Sequence, residues 1–281
     1  MSKIFTRTFR ARWSELDASG RISPSSYLRY LIETAYDWGS TLGLDNHNYE
    51  KLGIFWLIRE TEINLVHPMR HNDIFDFTIW MVNWQRVRGS RCFEVKLKDN
   101  GKIMAQGTQH VVCMDRESLR PTNLDPLIIK NFEMDNPLVF PSSRFPKIKL
   151  PQNTFTCQRQ VEWSDLDAQE HVNNAVYVSY AEEAAMKQFS SLGWTPQRFA
   201  AENLALQLMR THIQYQSPAT WGEIILLSSH SIQREKDGGS HYTAMTRSDG
   251  SPVAECIMDW KMINRLTGET LALPIELENL A

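Results

Sequence analysis

The chain is poor in cysteine: Cys92, Cys113, Cys157 and Cys256 are the only four among 281 residues, and they show neither C-x-x-C nor zinc-ligand spacing. A disulfide miniprotein is excluded by the length; four cysteines can in principle pair, but buried thiols behaving as small apolar side chains are the expectation. Long apolar runs are missing too. The longest, such as Ile54 to Ile58 and Ile224 to Leu227, fall far short of the roughly 20 residues that cross a bilayer, so no membrane span is expected. The opening residues Met1 to Arg7 hold no apolar stretch of secretory-signal length, which makes the cytoplasm the expected compartment. There is no excess of either charge: 30 Lys plus Arg against 33 Asp plus Glu give a net −3, with no sequence-wide pull toward nucleic acid or anionic lipid. No Gly-x-Gly-x-x-Gly, Walker loop, Gly-x-Ser-x-Gly elbow or His-Glu-x-x-His occurs, so neither a nucleotide cofactor, a metal nor a serine nucleophile is expected. With 42% apolar and 22% charged residues, what remains is an ordinary folded protein.

What the chain does contain is a long-period repeat. Trp13-Ser14-Glu15-Leu16-Asp17-Ala18 returns as Trp163-Ser164-Asp165-Leu166-Asp167-Ala168, a displacement of 150. The same register pairs Tyr27 with Tyr177, Tyr30 with Tyr180, Glu33 with Glu183, Leu42-Gly43 with Leu192-Gly193, Ile63 with Ile213 and Pro68 with Pro218. A repeat of this length is a duplicated domain rather than a solenoid unit. The domains are read as 1–121 and 154–281, joined by a proline-rich connector over 122–153 that carries Pro126, Pro137, Pro141, Pro146 and Pro151. That connector is too long for a simple loop and is expected to pack along a domain surface.

In each copy a turn-rich segment leads into one long helix. Ser23 can cap and Pro24 fits the first helical position of a helix through Leu42, with Gly43 at its left-handed end. In the second copy Asn173 or Asn174 caps Ala175 to Ser191, and Gly193 closes it. Apolar residues lie around most of the second helix, so a sheet must wrap it. Runs of strand character follow: 55–66, 73–84, 90–97 and 103–114, then 205–216, 223–231, 241–247 and 253–263. Asp99-Asn100-Gly101 and Ser248-Asp249-Gly250 supply tight turns. One long helix with about five antiparallel strands, used twice, is the implied α+β architecture.

The chemistry is expected just before the second helix, where Asp167 and His171 stand four residues apart. First-turn N–H groups near Asn174 and Ala175 offer a positive site for a carbonyl oxygen gaining negative charge. An imidazole there can take a proton from water, and Asp167 can orient that ring or itself activate the water. The first copy is an internal control. It keeps Asp17, but Arg21 replaces His171, Ser19 replaces Gln169, Ser23 replaces Asn173 and Pro24 replaces Asn174. Arginine is no base near neutral pH and proline has no N–H, so the first copy is expected to lack the activity. The retained Asp17 marks the aspartate as partly architectural. Thr211 and His212 are further candidates, on a strand that can pass the helix start.

The string from Trp163 to Asn174, followed by Ala175-Val176-Tyr177 and a helix holding Glu182-Glu183-Ala184, resembles the signature of hotdog-fold thioesterases. More narrowly the chain resembles the acyl-[acyl carrier protein] thioesterases, through Glu33-Thr34-Ala35, Gly43-Leu44, the strand from Ile54 to Arg59 and Trp80 as well. The likeness covers most of the chain. It implies two tandem hotdog domains, each a long central helix wrapped by an antiparallel β-sheet. It further implies hydrolysis of fatty acyl thioesters on the carrier's phosphopantetheine arm, with acyl carrier protein as partner and free fatty acid as product. Chemistry would sit in the C-terminal domain, with the N-terminal one shaping the acyl pocket. The family's Asp and His fall on Asp167 and His171, and its Asn on Gln169; Asn173, Asn174, Thr211 and His212 are the expected substrate-binding residues. The Glu-Cys pair of plant members is missing from Leu208 to Tyr215, which favours activated water over a cysteine nucleophile. An acyl-CoA thioesterase and a non-catalytic acyl-thioester binder are the alternatives. Two fused copies can mimic a dimer of single hotdogs, and a homodimer of the whole chain is compatible with that.

Overall fold

The computed structural model describes residues 3–132 and 134–278. The chain divides into two compact units: one takes in residues up to Leu16 and Arg21–Ser143, the other Asp17–Gly20 and the residues from Arg144 onward.

In unit 1, β1 (Ile4–Arg10) runs into a single 3-10 turn at Trp13–Glu15. There follow α1 (Pro24–Thr41), α2 (Asn46–Lys51), β2 (Ile54–Leu65), β3 (Ile74–Gln85), β4 (Arg88–Leu97), β5 (Ile103–Asp115) and the one-turn α3 (Pro126–Ile129). The strands form an antiparallel sheet in the order β1-β3-β4-β5-β2. Ser23 caps α1 and Pro24 opens it, as its fixed φ and missing N–H allow. Gly43 at φ +73 ends it.

Unit 2 repeats the plan. β6 (Phe155–Gln160) leads through a 3-10 turn at Trp163–Asp165 to α4 (Asn174–Ser191), α5 (Pro196–Ala201), β7 (Leu204–Tyr215), β8 (Ile224–Glu235), β9 (Gly238–Thr246), β10 (Pro252–Asn264) and α6 (Ile275–Glu278). The sheet order is β6-β8-β9-β10-β7. Asn173, not Asn174, is the cap of α4: its Oδ1 accepts the Ala175 N–H at 3.0 Å. Tyr177, Ala181, Ala184 and Phe189 bury one face of α4. Its far end closes on a core of Phe189, Trp194, Phe199, Trp260, Met262, Leu273 and Leu277. Four residues that alternation leaves facing the helix, Ser229, Thr243, Cys256 and Ile213, pair across β8, β9, β10 and β7.

The opposite face of each sheet is covered by the connector. In unit 1, Trp80 Nε1 donates to the Leu138 carbonyl at 2.7 Å and its ring meets Phe140 at 5.6 Å. The Phe140 N–H reaches Cys92 Sγ, its carbonyl accepts from Thr108, and the Ser143 N–H donates to Glu62 at 2.8 Å. Trp80, Cys92, Thr108 and Glu62 are consecutive partners across β3, β4, β5 and β2, so the connector crosses the sheet along one cross-strand row. In unit 2, Phe145, Ile148 and Leu150 pack on Tyr242, Ala244 and Ile257. Burying each such aromatic side chain stabilises by about 1.5–3 kcal/mol, which explains why so proline-rich a segment is held down. The four cysteines carry no disulfide, and three of them are buried. No helix among the described residues is long and apolar enough to cross a membrane.

Candidate active site

The turn before α4 is built by its own backbone. Asp167 N–H donates to the His171 carbonyl and Glu170 N–H to the Asp167 carbonyl, both at 3.0 Å. Asp167 Oδ1 accepts the Gln169 N–H at 2.9 Å. Both ends are tied: Val172 N–H donates to the Ala219 carbonyl and Asn173 N–H to the Asp165 carbonyl, each at 2.9 Å. The result brings His171 against Asp167, with Nδ1 to Oδ1 at 3.8 Å and side chains 27% and 26% exposed. That separation is too long for a hydrogen bond, and the buried Nδ1 has no other partner among the described residues. Both groups are reachable from solvent and held beside the helix start.

The first-turn amides need one correction. Ala175 N–H belongs to the Asn173 cap and Val176 N–H to the Asn173 carbonyl, so neither is available to a ligand. Among the described residues no partner takes the Asn174 N–H, which leaves it as the donor the turn presents. Gln169 is exposed, beyond its backbone bond to Asp167.

Thr211 and His212 are not brought to this turn. Tyr215 on β7 touches the helix start, its hydroxyl donating to the Asn174 carbonyl at 3.0 Å. Thr211 is four residues back along the same strand, about 13 Å at 3.3 Å per residue. It faces α4 with a buried hydroxyl that no described residue partners. His212 points the other way, to the connector face, where its fully buried ring meets Phe145 edge-on at 4.8 Å.

Several supporting residues have no sequence signal of chemistry. Asp165 is buried and accepts the Glu162 N–H at 2.9 Å and the Tyr180 hydroxyl at 2.7 Å. Burial, with that carboxylate adding, pushes the Tyr180 phenol well up. The Tyr177 oxygen accepts the Ala219 N–H at 2.9 Å, and burial pushes its phenol up to about 12. Tyr177, Asp165 and Tyr215 thus fix the turn and the 217–219 loop that holds it. The repeat register picks out Tyr177 and Tyr180, but only as shared architecture. Glu183 is spent on Arg159 at 3.7 Å and Lys187 at 2.8 Å. Its neighbour Glu182 differs: burial pushes its carboxyl up to about 8, with the Asp17 carboxylate of the same compact unit adding to the shift. Among the described residues no group of three or more His, Cys, Asp or Glu is placed to hold a metal ion.

A long helix wrapped by a five-stranded antiparallel sheet, made twice, defines a tandem hotdog protein. The profile of the thioesterase-like superfamily matches residues 11–132 and 161–279, and the chain belongs to that family. A palmitoyl-acyl carrier protein thioesterase of Gossypium hirsutum is 23% identical over 194 residues, which cover 65% of this chain and 47% of that protein. A long-chain acyl-CoA thioesterase of Escherichia coli is 29% identical over 124 residues, covering 43% of this chain and 91% of that one. The 12:0-ACP thioesterase structure from Umbellularia californica shares the fold, with a TM-score of 0.76 at 18% identity over 93% of this chain and 98% of the other. The chain spans about half the length of the curated plant relatives it matches first.

Proposed function

We propose that the chain hydrolyses fatty acyl thioesters at the start of α4, with acyl carrier protein as the acyl donor. The observation that carries this reading is the convergence of His171, Asp167 and the unpartnered Asn174 N–H on one turn. The thioester carbonyl oxygen lies on the Asn174 amide. His171 takes a proton from water while the water oxygen bonds to the carbonyl carbon, and Asp167 holds the charged imidazole. Collapse of the tetrahedral intermediate breaks the carbon–sulfur bond, and the proton on His171 passes to the departing thiolate. The products are a fatty acid and the carrier's thiol. Gln169, exposed on the same turn, completes the catalytic set. The domains are 1–121, 122–153 and 154–281, with reaction in the last.

The names of both kinds of relative support the reaction class, and the Escherichia coli relative supports acyl-CoA as the alternative donor. Product analysis with matched acyl-carrier and acyl-CoA panels of varied chain length tests the reading. Free fatty acid released faster from the carrier is the expected result. Faster release from CoA reverses the donor assignment, and tight binding with no product over long incubation favours a non-catalytic binder.

A further inference from the structure

Unit 1 holds a cation on the helix-facing side of its sheet. Met81, Arg91, Gln109 and Thr61 are consecutive partners across β3, β4, β5 and β2. Gln109 and Thr61 are sealed, at 2% and 1% exposure. Gln109 Nε2 donates to Thr61 Oγ1 at 2.9 Å, and its Oε1 accepts from Arg91 Nε at 2.9 Å and from Nη2. A guanidinium has five N–H donors, and one neutral oxygen occupies two of its nitrogens. The side chain lies deep yet keeps part of its surface accessible. Burial lowers it only to about 10, so it is charged at neutral pH. Among the described residues no carboxylate forms an ion pair with it, and the titratable groups that act on it are the neutral phenols of Tyr49 and Tyr36. A cation held this deep is costly unless an anion meets it.

The same position in unit 2 shows what a purely structural solution looks like. There His241 replaces Arg91, is fully buried, and accepts from Trp260 Nε1 through Nδ1 at 2.9 Å under the ring of Phe189. Unit 2 closes the position with a fully buried ring, while unit 1 keeps a partly accessible cation. The residues nearby in the sheet are apolar and aromatic: Met81 beside Arg91 in the row, Trp84 against Gly89, and Trp56 edge-on to Trp84 at 5.4 Å. One cation in such walls suits a singly charged anion with an apolar body. A phosphate dianion would need a second cation.

We propose that Arg91 anchors the carboxylate of a free fatty acid in unit 1. Because such an acid is the product of the hydrolysis proposed above, the site retains product; that consequence, not the binding itself, rests on that reading. Calorimetric titration of the whole chain with dodecanoate, below its micelle concentration, tests it. Saturable binding is expected, weakened about tenfold or more in Arg91→Met and less in Arg91→Lys, as loss of a charge-assisted hydrogen-bond pair implies. Unchanged affinity in Arg91→Met overturns the site. So does methyl dodecanoate binding the unaltered protein as tightly as the acid, a control that needs no variant to fold. Displacement of dodecanoate by equimolar inorganic phosphate overturns the carboxylate assignment. Hydrolysis without acid binding sinks this site alone, and acid binding without hydrolysis sinks the proposed reaction alone.

Discussion

Residues 17–24 and 167–174 are the same turn built twice, and they separate what the fold requires from what the proposed chemistry requires. Asp17 Oδ1 accepts the Ser19 N–H at 2.8 Å as Asp167 Oδ1 accepts the Gln169 N–H at 2.9 Å. The aspartate therefore holds the turn in both copies, and its presence alone says nothing of catalysis. What differs is the position four residues on, a buried Arg21 against a reachable His171, and the first helical residue, Pro24 against Asn174. A turn that folds equally well with arginine and proline has no structural need of histidine and a free amide.

The sharpest way to break this comparison is to remove the imidazole. His171→Ala is expected to lower kcat by about 10²–10⁴-fold, the usual contribution of a positioned base, with little change in Tm because Nδ1 makes no hydrogen bond. Rates on acyl-carrier thioester with a parallel melting curve check it, and parental kcat in a folded variant removes His171 from the mechanism. The second test copies unit 1 into unit 2. Asn174→Pro deletes the N–H together with the carboxamide, and Asn174→Ala, which removes the carboxamide alone, is its control; the position is a first helical one where Pro24 already fits, and the preceding Asn173 has the extended backbone that proline demands (φ −60, ψ 138). Loss of one oxyanion donor is expected to cost about 10²–10³-fold in kcat. A folded variant with full activity moves the oxyanion elsewhere.

Much of this organisation is legible in the amino-acid string, because a gapless register of 150 carries the caps, glycines and tyrosines together. Both long helices and the eight runs of strand character lie where periodicity and caps put them. The short helices α2 and α5 escaped, since each has only six residues, too few for a periodic apolar face. Side-chain direction on β7 escaped for another reason. Alternation says that Thr211 and His212 face opposite ways, but not which face the helix covers. The orphaned hydroxyl of Thr211 follows from divergence between copies: Thr61 receives Gln109 Nε2, whereas Thr211 is paired with Met258, which has nothing to donate. Likewise, Asn173 and Asn174 are both plausible caps by residue type, and only backbone geometry decides which amide is consumed.

Glu182 sharpens the comparison through pH. Its counterpart in α1 is Ile32, so this titration belongs to unit 2 alone. The folded carboxyl is raised from 4.5 to about 8 by burial, so folding favours the neutral acid. The corresponding stability is whole below about pH 4.5, falls as the pH rises, and is gone above about 8. Glu182→Gln has no proton to lose. Its Tm advantage over the parent is expected to grow by a few degrees between about pH 5 and 9. A constant difference across that range would show that the carboxyl titrates normally.

The smallest effect concerns the residue just before His171. Glu170 has φ +63, whereas the matching Gly20 has φ +80. A non-glycine residue in that left-handed region costs about 1–2 kcal/mol, offset in part because glycine gives up more entropy on folding. Glu170→Gly is thus expected to raise stability by about 0.5–1 kcal/mol, read as a Tm gain of about 1–4 °C. If Glu170 only fills a turn, the gain comes with kcat and KM unchanged. If its restricted backbone helps hold His171 over Asp167, the more permissive glycine widens the imidazole's range, and kcat falls while Tm rises. Those opposite movements in one variant would mark the strained residue as a positioning element that the first copy of the turn, with Gly20, does not keep.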